Sequence, residues 1–230
     1  MRARKLLIRN PAKLLQASRD IPGANLRLAQ LALEDSVSKQ VLAPAYKSTG
    51  KSAAEGPNER IQADLIDYSQ NTRTKERFAL MLADVYTREV RTVPLLNKKS
   101  ETVNSALRSA IPSLVGDNKS YSITTDAGKE FSNMEAVLPA SAVHRSKTGV
   151  NDIAVLDRAM QTVKKDSAAA VADGDASNWV EALPLATEAH NTRPHSAVFG
   201  PPETVEERPE QDFRVLQANA RKGLLNRAFQ

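Results

Sequence analysis

Phe78–Thr87, FALMLADVYT, is almost continuously apolar across ten residues. It falls well short of the ~20 residues of a membrane span, and no other apolar run approaches that length. A run this short and this apolar reads as a central strand covered on both faces. Its neighbours read as strands of another kind. Ile61–Tyr68, IQADLIDY, alternates, with Gln62, Asp64 and Ile66 on one face and Ala63, Leu65 and Asp67 on the other. Glu89–Leu95, EVRTVPL, reads as a third strand, and the short connection at Thr87-Arg88 predicts a hairpin.

Beyond these strands the pattern alternates with helix. Ser100, followed by Val103, Leu107, Ile111 and Leu114, predicts a capped amphipathic helix that Pro112 should kink or end. Tyr121–Thr125 is a short buried strand leading into Asp126, residues 129–138 a short helix, and Ala140–His144 a fifth strand. His144–Asn151 reads as a mobile, basic loop, and residues 152–172, Ser177–Thr192 and 211–228 as helices. The order predicts an α/β domain, a mixed five-stranded sheet flanked by helices. Residues 3–19 and 25–38, split by Ile21-Pro22-Gly23, read as two helices of a small N-terminal extension. The expected division is 1–43 for that basic region, 44–57 for a linker carrying Lys47 and Lys51, 58–206 for the core, and 207–230 for a helical tail.

Composition narrows the chemistry. There is no cysteine, which excludes a disulfide framework and every cysteine-containing zinc site, and His144, His190 and His195 do not have metal-ligand spacing. No zinc is therefore expected. The opening MRARKLLIRNPAKLL is basic but lacks a small-residue cleavage site, so it does not read as a signal peptide. Residues 1–55 hold ten Lys/Arg against four Asp/Glu, while the remainder is close to neutral. A basic lobe on a near-neutral body suits a phosphate-backbone partner, or is simply a solvated helix surface.

Three carboxylates stand out. Asp64 is mid-strand beside Ile66, where a carboxylate needs a partner or a cation. Asp126 sits at the end of the fourth strand, where open α/β sheets place ligand sites, and Gly128 after it permits close backbone approach. Asp157 begins a stripe with Gln161, Lys164 and Lys165 on one helix face, beside the apolar stripe of Ile153, Leu156, Met160 and Val163. Asp67 and Asp84 are also strand-associated and compete weakly as ligands. Asp152 competes with Asp157, and reads rather as the N-terminal cap of that helix. His190 and His195 read as packing and turn residues, His144 as a loop-edge residue, and Trp179 as a core anchor.

Asn58–Val205 resembles the catalytic core of the retroviral-type integrases in four ordered motifs. IQADLIDYS with FALMLADVYTREVRTVPLLNKKSETV resembles the first strands, TTDAGKEF the second aspartate motif, AVLDRAMQTVKK the third-carboxylate helix, and WVEALPLATEAHNTRPHSAVFGPPETV the closing helix. The resemblance implies a ribonuclease H-like fold with Asp64, Asp126 and Asp157 as catalytic and metal-binding residues. It departs from the family in three places. Asp157 stands where Glu is usual, shortening the side chain by ~1.5 Å; the Asp126–Asp157 spacing of 31 is several residues short; and Ala127 replaces a polar residue or glycine. The family's zinc-binding N-terminal domain is absent in its usual form.

The implied activity is metal-dependent DNA strand transfer, joining mobile-element ends to target DNA with two Mg²⁺ (or Mn²⁺) ions. Lys147, Arg145, Gln161, Lys164 and Lys165 are the expected DNA contacts. A homo-oligomer, no membrane association, and a nuclear or other intracellular location are expected with it. The departures keep open a derivative that binds DNA without cutting it, and another nuclease of the same fold.

Overall fold

A computed structural model describes residues 52–71, 73–118, 120–147 and 153–228, together with Asn25 and Arg27. The chain divides into two units, Met1–Lys47 and Ser48–Gln230. The expected N-terminal helices and Lys47 and Lys51 lie outside the described residues apart from Asn25 and Arg27, as does Asp152. Among the described residues no helix is long and apolar enough to cross a membrane.

The second unit is built on five strands, β1 (Arg60–Asp67), β2 (Phe78–Asp84), β3 (Val90–Leu95), β4 (Ser122–Thr125) and β5 (Val143–Ser146), in the order β3-β2-β1-β4-β5. β1, β2 and β3 form an antiparallel meander, whereas β4 and β5 add in parallel. The apolar run explains the centre: every residue of β2 from Ala79 to Asp84 is buried. It ends as a strand at Asp84, three residues earlier than the run itself, because Val85–Thr87 turn into the hairpin closed by Asp84 N–H donating to the Glu89 carbonyl at 2.9 Å.

The alternation of β1 divides the core. Ile61 and Ala63 join Leu80, Leu82 and Ile123 beneath α1 (Ser100–Val115), whose Val103, Leu107, Ile111 and Leu114 cover that face. Ile66, with Ala79 and Met81, faces α2 (Ala154–Asp173) and α3 (Trp179–Thr192) through Leu156, Val163, Trp179 and Leu183. Asp64 belongs to this second face. Trp179 is buried as expected, its ring stacked on Tyr68 at 4.1 Å and its Nε1–H donating to Thr74 Oγ1 at 2.9 Å. α4 (Pro209–Ala228) is keyed by Gln211, whose amide donates to the carbonyls of Val198 and Pro201.

Several sequence expectations are corrected. α1 does not end at Pro112 but runs three residues further, to Val115; the proline sits in its last turn on the exposed face. Ser100 is the first helical residue and does not cap; Asn97 Oδ1 instead accepts from Lys99 N–H and Thr102 Oγ1. Residues 129–138 form two 3₁₀ turns, Lys129–Phe131 and Met134–Ala136. β5 begins at Val143, not Ala140, because Pro139 and Ala142 close a turn first. Its pairing with β4 then extends to Ser146, so the first three of the eight residues of the expected loop, His144–Ser146, are strand. α3 starts at Trp179, two residues later than expected, where the Asn178 side chain accepts from Val180 and Glu181 N–H.

Candidate active site

The register of β1 against β4 places two of the three carboxylates. Arg60, Ile61 and Gln62 pair with Ser122, Ile123 and Thr124. Asp64 lies two residues beyond Gln62, and Asp126 two beyond Thr124, immediately past the end of β4. Neighbouring strands run ~4.8 Å apart, so these aspartates occupy adjacent positions on adjoining strands.

The third comes in from α2. Gln62, buried on the same face as Asp64, accepts a 3.0 Å hydrogen bond at Oε1 from the Leu156 backbone N–H. This bond, together with the packing of Ile153 and Leu156 on Ile66, docks the first turn of α2 against β1, and Asp157 is the next residue of that turn. Gln62 is the residue that sequence reasoning missed; it was placed on the right face and given no role.

Electrostatics record the proximity. Burial pushes the Asp64 carboxyl up to about 6, and the charges of Asp126 and Asp157 push the same way, against the Leu65 amide and Lys147. Lys147 arrives through the sheet: its N–H donates to the Thr125 carbonyl at 2.7 Å, extending the β4–β5 ladder by one step. Beneath them Thr125 Oγ1 meets His144 Nε2 at 2.9 Å, and burial lowers the His144 pKa.

Each aspartate on the sheet turns an oxygen to its own backbone. Asp64 Oδ1 accepts from Leu65 N–H at 2.7 Å, and Asp126 Oδ1 from Gly128 N–H at 3.0 Å. A Cβ on Gly128 would stand 2.9 Å from that Asp126 oxygen and 2.7 Å from the Glu130 carboxyl, so a larger residue there would push both carboxyl groups aside. As placed, no three histidine or acidic side chains among the described residues stand close enough together to hold a metal ion. Like charges separate when each has a local N–H donor. The donor set nonetheless suits a hard divalent cation in kind, being carboxylate oxygens that repel one another in a half-buried place.

Other expected contacts spread outward. Arg145, Gln161, Lys164 and Lys165 are exposed, and Lys164 acts on Asp67 at the end of β1. Asp67 is exposed and held by Ser69, its pKa lowered by those bonds. Asp84 is buried in the β2–β3 turn, where its Oδ2 accepts from the N–H and hydroxyl of Thr87, both at 2.8 Å. His190 packs beneath Arg88, and His195 caps a 3₁₀ turn by accepting from Ala197 N–H. Asn191, from the closing motif, bonds both polar groups of the Val90 backbone.

No family model and no curated protein matches the sequence. Solved structures do match the fold. The HTLV-2 integrase catalytic core domain in complex with magnesium aligns at 18% identity and a TM-score of 0.53, covering 65% of this chain and 97% of that one. An intasome of simian T-cell lymphotropic virus aligns at 18% identity and 0.59, covering 87% and 75%. The catalytic core domain of BIV integrase aligns at 17% and 0.52, covering 68% and 99%. The mixed five-stranded sheet with its flanking helices is the ribonuclease H-like fold of the retroviral integrase catalytic cores.

Proposed function

We propose that this protein is a divalent-metal-dependent DNA strand transferase that joins the ends of a mobile element to target DNA. The observation that carries this reading is the side-by-side placement of Asp64 and Asp126, with Asp157 brought to the same face through Gln62 and Leu156. Likeness of fold to the integrase cores supports it, and one of those solved structures is described as a complex with magnesium.

Asp64, Asp126 and Asp157 would hold the metal, two Mg²⁺ or Mn²⁺ ions in this reading. When bound, the ions supply an activated water or DNA 3′-hydroxyl and charge stabilisation for an in-line displacement at phosphorus. The chain's own residues do the rest. Gln62 fixes the turn that presents Asp157. Lys147 offsets the mutual repulsion of the aspartates. Gly128 lets Asp126 lie close to its backbone. Arg145, Gln161, Lys164 and Lys165 line the exposed approach and orient the strand by its phosphates.

The domain reading that accompanies this is a core over 58–206, with a basic region over 1–43, a linker over 44–57 and a tail over 207–230. The substrate places the protein in the nucleus or elsewhere inside the cell, acting as a homo-oligomer on paired ends. The HTLV-2 core has been solved in dimeric and trimeric forms.

A second reading is a derivative that binds DNA without cutting it. It is favoured by the shortened Asp157 side chain and by the absence, among the described residues, of a three-carboxylate group at metal-holding separation. A nuclease of the same fold is the third. Labelled DNA ends incubated with target DNA and Mg²⁺ or Mn²⁺ separate them, with Asp64→Asn as control. Joined products that vanish in the variant support strand transfer. DNA retained without products indicates the second reading, and nicking or RNA hydrolysis alone the third.

A further inference from the structure

Asp126 stands immediately past the end of β4, whose last paired residue is Thr125, opposite Ser146 of β5. Two bonds hold it there. The Thr125 hydroxyl donates to the Asp126 carbonyl at 2.8 Å, and Gly128 N–H donates to Asp126 Oδ1 at 3.0 Å. The first bond fixes the plane of the peptide between Asp126 and Ala127. That peptide leads from the carboxylate to the Gly128 N–H it accepts from, so each bond supports the other.

Thr125 is fully buried, and its hydroxyl has a single proton, which is committed to the Asp126 carbonyl. The 2.9 Å contact with His144 Nε2 must then run the other way, with Nε2–H donating and Thr125 Oγ1 accepting. The result is a directed relay from His144 to the Thr125 hydroxyl to the Asp126 carbonyl. The proton given by His144 covers the side of the hydroxyl turned towards β5, so the hydroxyl's own proton is left pointing at Asp126. Nε2 carries a proton in this neutral tautomer and in the imidazolium alike, so the relay does not turn on the charge of His144.

The relay lies behind the site. His144 is in register with Ile123, which packs in the core beneath α1, and alternation puts Thr125 on the same face, two residues on. Gln62 and Asp64 belong to the opposite face, against α2. His144 therefore reaches Asp126 only through Thr125.

We infer that His144 is a positioning residue for Asp126, acting through Thr125 from the back of the sheet. Its value to metal binding rests on the strand-transfer reading, whereas the pinning of Asp126 does not.

Exchange of the Gly128 amide with solvent, followed by NMR in the full chain, reads that pinning without metal. Thr125→Val is expected to speed it about tenfold, the worth of one hydrogen bond, and Thr125→Ser to leave it unchanged. His144→Leu is expected to speed it about threefold in wild type and not at all in Thr125→Val, because both act on one bond. His144→Gln carries an amide N–H as many bonds from the backbone as Nε2 and should restore the wild-type rate. His144→Asn, one bond shorter, should not. A rate untouched by His144→Leu overturns the inference, as does a His144→Leu effect that persists in Thr125→Val, or equal behaviour of His144→Gln and His144→Asn. Mg²⁺ affinity, read from the rise in unfolding midpoint, then tells the two readings apart. It should weaken about threefold in His144→Leu and recover in His144→Gln; equal affinity in wild type and His144→Leu overturns the role. A wild-type midpoint that ignores Mg²⁺ would sink the metal reading alone, and the exchange rates would still decide whether His144 holds Asp126.

Discussion

The side chain of Gln62 in β1 and the backbone amide of Leu156 in α2 are joined by a 3.0 Å hydrogen bond between residues 94 apart in sequence. The bond is buried, so removing its acceptor strands an N–H inside the protein. Gln62→Leu is expected to lower stability by ~1–3 kcal/mol in urea unfolding. Because Asp157 follows Leu156, the same variant should lose strand transfer by ~10²-fold, as a displacement near 1 Å can cost. Activity unchanged in a folded Gln62→Leu protein would remove Gln62 from the site.

Asp64 predicts a pH dependence with a definite sign. Its carboxyl is raised to about 6 from an ordinary value of 3.8. A raised carboxyl favours the fold while protonated, so its contribution is full below about 3.8 and is lost as pH rises through about 6. Asp64→Asn cannot ionise and should therefore be more stable than wild type above neutral pH. The difference should shrink to nothing as pH falls towards about 4. Solvent screening at this half-buried group keeps the gain modest, ~1 kcal/mol. Denaturation at the two pH extremes measures it.

Metal should reverse that ranking. Mg²⁺ binding to the folded state alone raises the midpoint of unfolding. Wild type should respond, and Asp64→Asn, Asp126→Asn and Asp157→Asn should each lose most of the response. A midpoint that ignores Mg²⁺ in wild type would count against the three aspartates as ligands.

Asp157→Glu lengthens the side chain by ~1.5 Å and restores the residue usual at this position in the family that the sequence resembles. Strand transfer in this variant is expected to equal or exceed wild type, whereas Asp157→Asn should fall by at least ~10²-fold. Parallel single-turnover assays in Mg²⁺ and Mn²⁺ compare them.

Trp179 carries the packing of α3. Trp179→Leu forfeits the stack on Tyr68 and the bond to Thr74. A loss of ~3 kcal/mol or more is expected from such a buried aromatic, read by circular dichroism because the chain has no other tryptophan.

What the sequence disclosed, it disclosed through periodicity and motif. Alternation in β1 placed Asp64 on the face now covered by α2 and α3, and the apolar run marked β2 as the strand at the heart of the meander. β5 was misplaced because its start is decided by a turn at Pro139 and by pairing to β4, and its residues are polar and largely exposed. Pro112 misled because it stands in the last turn of α1, which ends three residues later at Val115 in any case. Gln62 left no signal, since a glutamine in a strand looks alike whether it faces solvent or a distant amide. The same holds for Arg88, whose backbone angle and unpartnered Nε exist only once the hairpin has closed.

Asn191 offers its Oδ1 to the Val90 N–H at 2.9 Å and its Nδ2 to the Val90 carbonyl at 3.0 Å, imitating with one side chain the paired bonds of an adjoining strand. β3 is a border of the sheet, and an open border invites another chain to add itself. At Val90 that invitation is already taken up from within. Fibrous growth from a partly unfolded population should therefore begin at the opposite border, β5, and Asn191→Ala should open a second front for it.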